Sequence, residues 1–135
     1  MRMDHIALVT DDIEKLKEFY VQNFGGAAQE KWTDGTVDLY FIRFDNGVQI
    51  ELEKRDHPAR YEIDRENSFG IAHLAFQVES KEALHEVTDT LIQRGVKQRS
   101  MPTAYGDDFY ESSFFDPDGN VVEISVNREN LKKTI

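Results

Sequence analysis

The chain has 135 residues, 39% of them hydrophobic and 31% charged, with a formal net charge of −10. That is one domain's worth of polypeptide, of a size that buries roughly two thirds of its unfolded surface. The acidic balance argues against nucleic acid, whose phosphates need basic patches, and against anionic membrane surfaces; no apolar run approaches the ~20 residues of a membrane span.

Met3 to Val9 alternates as a strand does, and Asp11 or Asp12 is placed to cap a helix. Ile13, Leu16, Phe19 and Tyr20 then recur at helical spacing, until Gly25-Gly26 stops the run. Three strands are expected next, near Ala27 to Trp32, Val37 to Phe44 and Val48 to Glu53. Thr33-Asp34-Gly35 and Asp45-Asn46-Gly47 are the hairpin turns between them, since Gly and Asn tolerate positive φ. After a polar stretch the order repeats. A strand is expected at Ile71 to Val78, then a helix at Lys81 to Gln93 with Ala83, Leu84, Val87, Leu91 and Ile92 as its apolar stripe, ended by Gly95. Strands follow near Val96 to Met101, Phe109 to Phe115 and Asn120 to Val126, the last two joined by Asp116-Pro117-Asp118-Gly119.

The fold class is therefore α+β, built from two βαβββ modules. Module one spans about 1–54, a linker about 55–69, module two about 70–127, and a charged tail, expected to fray, 128–135. Landmarks in the two halves correspond. His5 matches His73, Gly25 matches Gly95, and Glu51 matches Glu123, at offsets of 68, 70 and 72 positions. Two copies of this length suggest paired modules in one domain rather than a solenoid.

Strand parity sharpens the pairing. His5 shares a face with Ala7 and Val9, Glu51 with Gln49 and Glu53, His73 with Ala75 and Gln77, and Glu123 with Val121 and Ser125. Each of the four lies opposite its strand's apolar row, which should meet the helices. Imidazole and carboxylate are ligands of first-row metals, and two of each suit a divalent ion. A single strand histidine usually packs or faces solvent; it is the matched position in both halves that favours a metal. His57, before Pro58, and His85, among Glu82, Glu86 and Asp89, read as solvated. Trp32, Tyr40, Phe41 and Phe44 read as core or dimer contacts. Without cysteine there are no disulfides and no thiol catalysis. The opening Met1-Arg2-Met3-Asp4-His5 has no apolar signal segment, so a cytoplasmic address is expected.

Paired βαβββ modules with His on the first strand and Glu on the last resemble the vicinal oxygen chelate superfamily. It includes glyoxalase I, methylmalonyl-CoA epimerase, extradiol dioxygenases, and fosfomycin and bleomycin resistance proteins. The resemblance runs from Met3 to Val126, and Phe115-Asp116-Pro117-Asp118-Gly119-Asn120-Val121-Val122-Glu123-Ile124 is its most specific piece. It implies mixed sheets curving around a cleft, a homodimer, and metal ligands at His5, Glu51, His73 and Glu123. The cofactor would be one divalent ion: nickel, zinc, cobalt, manganese or iron. Two histidines with two glutamates are most similar to glyoxalase I. The resemblance then implies a metal-dependent lyase or isomerase that enolises a small 2-oxo or thioester substrate. Glu123 would be the base, and Glu51 a ligand or second acid/base. The alternatives are a non-catalytic small-molecule binder of the resistance type, or a dioxygenase or transferase of the same superfamily. Two positions depart from compact glyoxalase I proteins: Val9 stands where an arginine is usual, and Arg55 where an asparagine is usual. Arg55 and Arg43 are instead candidates to hold another anionic substrate. Tyr110, in the aromatic run after Gly106, is a candidate substrate contact if that loop forms a flap, and a core aromatic otherwise.

Overall fold

Asp12 begins the first helix, its carboxylate accepting the Lys15 backbone N–H at 3.1 Å. This computed structural model describes residues 1–55, 58 and 67–132. The chain divides into two compact units, with the boundary between Glu62 and Ile63. His57 and most of the expected linker lie outside the described residues.

In the first unit, β1 (His5–Thr10) leads into α1 (Ile13–Phe24), followed by β2 (Ala27–Ala28), β3 (Trp32–Thr33), β4 (Asp38–Arg43) and β5 (Gln49–Lys54). The expected strand from Ala27 to Trp32 is thus two short pieces, both antiparallel to β4. The sheet order is β1-β5-β4-β2, with β1 parallel to β5 and the rest antiparallel. Ile13, Leu16, Phe19 and Tyr20 are buried as their spacing predicts, along with Ile42, Ile50 and Leu52 of the sheet. The two glycines that end α1 do different things. Gly25 takes the left-handed cap conformation at φ 68°. At Gly26 a Cβ would collide with the Ile42 side chain, so only glycine lets the chain pass so close to β4. Trp32 is not a core residue but stands 53% exposed.

The second unit repeats the plan with β6 (Leu74–Val78), α2 (Lys81–Gln93), β7 (Gln98–Tyr105), β8 (Phe109–Phe115) and β9 (Val121–Val126). Its order is β6-β9-β8-β7, again with the first strand parallel to the last. Ser80 caps α2 through a 3.1 Å bond from the Ala83 N–H. The buried stripe is Leu84, Thr88 and Leu91, while Ile92 is largely exposed. Thr88 is tolerated there because its hydroxyl meets the buried Ser112 hydroxyl at 2.8 Å. β7 continues past Pro102, where the strand was expected to have ended, because it is an edge strand and its register against β8 shifts between Ser100 and Thr103. Past Asn127 the chain, expected to fray, continues as a short helix. That residue caps α3 (Arg128–Leu131), Asn130 donates to Glu79, and Arg128 and Lys132 reach Asp108 at 3.0 and 3.4 Å. Among the described residues no helix is long and apolar enough to cross a membrane.

Candidate functional site

Glu51 pairs across the sheet with Ala7, and Glu123 pairs with Ala75. In each unit the histidine stands two residues before that alanine, so the duplication holds at the level of strand register. The local result is also the same. His5 Nε2 lies 2.8 Å from Glu51 Oε2, and His73 Nε2 lies 3.6 Å from Glu123 Oε2. Alternation turns the glutamates away from the helix-covered rows, in which Ile50, Leu52, Val122 and Ile124 are buried. The carboxylates keep only 14% and 15% of their side-chain surface exposed, the imidazoles 34% and 44%. Each pair is therefore enclosed on the carboxylate side and open on the imidazole side, which lets a small ion or ligand approach.

The first half-site is further organised by Asp4. Its carboxylate meets His5 Nδ1 at 2.8 Å, leaving Nε2 to face Glu51. A carboxylate behind an imidazole is the arrangement that fixes the tautomer and orientation of metal-ligating histidines. The same bond to Asp4 raises the His5 pKa above its usual value, with the charge of Glu51 and that of Asp4 adding to the effect against a smaller opposing cost of burial. Phe41 packs edge-on against the imidazole, ring centroids 5.2 Å apart.

The second half-site contains a further carboxyl group. Glu111 is on β8 opposite Ser125, while its neighbour Ser113 is opposite Glu123, so Glu111 and Glu123 share a face. Burial raises the Glu111 pKa, and the charge of Glu123 and a hydrogen bond to it raise it further, while His73 pulls the other way. Sequence reasoning missed Glu111. Its signal lay in parity along β8, where Glu111 and Ser113 alternate with the buried Ser112 and Phe114.

The other sequence-predicted residues fall differently. Arg43 lines an open cavity of about 550 Å³ together with His5. Arg55 is engaged by Glu53 at 2.8 Å. Tyr110 alternates with Glu111, so it belongs to the helix-covered face of β8. Its hydroxyl bonds His85 Nε2 at 3.0 Å and Lys81 lies over its ring, which also gives the exposed His85 a partner. That side is opposite the one carrying Glu123, so Tyr110 is not placed to touch a substrate at that pair.

The donors in each pair fit a divalent cation, since an imidazole nitrogen and a carboxylate oxygen already converge. Among the described residues no three His, Asp or Glu side chains gather as a metal cluster, so each half-site is a pair.

Comparison with known proteins places this chain in a family. The family model for the Glyoxalase/Bleomycin resistance protein/Dioxygenase superfamily matches residues 2–124. The Bacillus subtilis (strain 168) "Uncharacterized protein YqjT" is 28% identical over 131 residues, covering 90% of this chain and 96% of that one. Among solved structures, a glyoxylase/bleomycin resistance protein/dioxygenase domain from Frankia sp. EAN1pec superposes with a TM-score of 0.79 at 21% identity, covering 95% and 98% of the two chains. Lactoylglutathione lyase from Agrobacterium tumefaciens gives 0.69 at 20% identity, covering 95% of each. A variant of the fosfomycin resistance protein FosX from Listeria monocytogenes, complexed with Mn(II) and a dihydroxypropylphosphonic acid, gives 0.70 at 21%, covering 91% and 90%. At these identities the structural likeness speaks for the fold, and the family assignment rests on the match over residues 2–124. This chain belongs to the Glyoxalase/Bleomycin resistance protein/Dioxygenase superfamily.

Proposed function

We propose that the two half-sites together hold one divalent cation and that the protein is a metal-dependent lyase or isomerase acting on a small 2-oxo or thioester substrate. The observation that carries this reading is the repeated diagonal: in both units an imidazole Nε2 faces a carboxylate oxygen from the same register position. His5, Glu51, His73 and Glu123 are the proposed ligands. The ion would be nickel, zinc, cobalt, manganese or iron, since affinity order alone does not choose among them. The modules supply the two pairs either within one chain or across a homodimer.

The bound ion would polarise a substrate carbonyl. The remaining work falls to the protein. Asp4 holds the His5 ring in one orientation. Glu123 takes the proton alpha to the carbonyl, and Glu51 serves as ligand and second acid/base. Glu111, kept protonated more readily than an ordinary glutamate, hydrogen bonds Glu123 and holds its carboxylate in place.

The test is proton exchange in deuterated water, followed by NMR over a panel of 2-oxo acids, 2-oxo aldehydes and thioesters, with nickel-loaded protein. Exchange alpha to the carbonyl of at least one class, lost in Glu123→Gln, supports the reading. Absence of exchange across the panel with a fully loaded protein contradicts it.

A further inference from the structure

One rung of the first sheet runs from His5 to Gln49 to Arg43, paired position by position across β1, β5 and β4. Residues paired across a sheet project to the same side, so all three face the way Glu51 does on the neighbouring rung. Two strand spacings, about 10 Å, separate the backbones of His5 and Arg43. Both line the open cavity of about 550 Å³, with Gln49 between them and Arg2 also on its wall. The volume suits a small organic acid.

The donors in this cavity are uncommitted. Among the described residues the Arg43 side chain has no hydrogen bond and no ion pair, in a chain with 26 acidic residues and only 16 basic ones. Arg55 and Arg128, by contrast, are each paired with a carboxylate. The Gln49 carbonyl oxygen accepts from the Gln29 amide at 3.2 Å, so its own NH₂ group remains to donate. Of the two acids on the wall, Asp4 is already held by His5 Nδ1, and Asp45 belongs to the turn between β4 and β5.

We propose that this cavity seats an oxyanion carried by the substrate, a carboxylate or a phosphate, with the Arg43 guanidinium as principal anchor and the Gln49 amide as second donor. The planar guanidinium grips two oxygens of either group at once. The substrate would then be an acid whose charged end lies on Arg43 and whose reacting end lies at His5. This rests on the reading of His5 and Glu51 as one edge of the reaction centre, and it narrows the substrate to anionic compounds.

The experiment is NMR titration of the full chain, following the backbone amides of Gly47 and Gln49. The probes are pyruvate, inorganic phosphate and uncharged pyruvamide. At least one anion should bind the parent saturably, and the tighter of the two identifies carboxylate or phosphate as the preferred group. Arg43→Gln should weaken that binding about tenfold or more, the loss expected for hydrogen bonds to a charged group. Arg43→Lys should restore part of it, and the response to pyruvamide should be the same in all three proteins. A separate Ni²⁺ titration should give the same affinity for parent and Arg43→Gln. The proposal is overturned if neither anion moves these amides in the parent, or if Arg43→Gln binds as tightly as the parent. If Ni²⁺ fails to bind while Arg43-dependent anion binding persists, the metal reading falls and the anion seat stands.

Discussion

Replacing Asp116 by alanine tests how Glu123 is held in register. Asp116 opens the turn between β8 and β9 and is only 4% exposed. Its Oδ1 accepts the backbone N–H groups of Asp118 and Asn120, each at 2.9 Å, and its Oδ2 accepts the Asn120 side-chain amide at 2.8 Å. Hydrogen bonds to a charged acceptor contribute about 1.5–3 kcal/mol each, so losing all three sets an upper range of about 4.5–9 kcal/mol. Pro117 is exposed and Asn120 half-buried, so water recovers part of that loss. The expected cost of Asp116→Ala is about 3–5 kcal/mol. Asp116→Asn keeps one carbonyl acceptor and should cost about 1–2 kcal/mol. A one-residue slip of β9 would turn Glu123 to the helix-covered face, so any proposed activity should fall along with stability. Urea unfolding followed by far-UV circular dichroism reads both variants. An Asp116→Ala protein within about 1 kcal/mol of the parent would refute the claim that this side chain organises the turn.

Glu111→Gln removes a carboxyl whose pKa is raised in the fold. The stability linked to the protonated Glu111 carboxyl is complete below the ordinary glutamate value and is lost as pH rises through the raised one. Thermal melts should therefore show the variant gaining on the parent from pH 4 to pH 7; a difference that is constant or shrinks over that range contradicts the shift. The His5 pKa is raised as well, so protons compete with a cation at its Nε2, and nickel binding should strengthen as pH rises from 6 to 8. Asp4→Ala should weaken nickel affinity about 10–100-fold while the melting temperature changes little, measured by calorimetric titration; unchanged affinity would remove Asp4 from the site. Thr88→Val strips the buried Ser112 hydroxyl of its 2.8 Å partner and should cost about 1–3 kcal/mol in urea unfolding, whereas a neutral outcome would mean the pair is dispensable.

Much of the architecture was legible because periodicity reports burial directly. Ile13, Leu16, Phe19 and Tyr20 are the buried face of α1, and Asp116-Pro117-Asp118-Gly119 forms its turn where the residue types require one. The repeat matched His5 with His73 and Glu51 with Glu123; the contacts of His5 with Glu51 and of His73 with Glu123 follow from strand register, which the local context of neither histidine reveals. The harder features depend on residues distant in sequence. Thr88 interrupts an apolar stripe because its partner, Ser112, sits on another element. Gly26 looks like half of a helix stop, yet its second role depends on Ile42. Tyr110 follows a Gly-containing turn, and only its place in β8, alternating with Glu111, fixes which face it takes. Arg55 was a candidate anion holder in sequence, but Glu53, two residues back, engages it.

Calorimetric titration of the full chain with Ni²⁺ and Zn²⁺, reading stoichiometry, is the most direct measurement of whether the two matched pairs act together. One ion per chain is predicted, with binding abolished by His5→Ala and equally by His73→Ala. Two independent ions per chain, or a single ion whose binding survives the loss of one of these histidines, would contradict a shared centre.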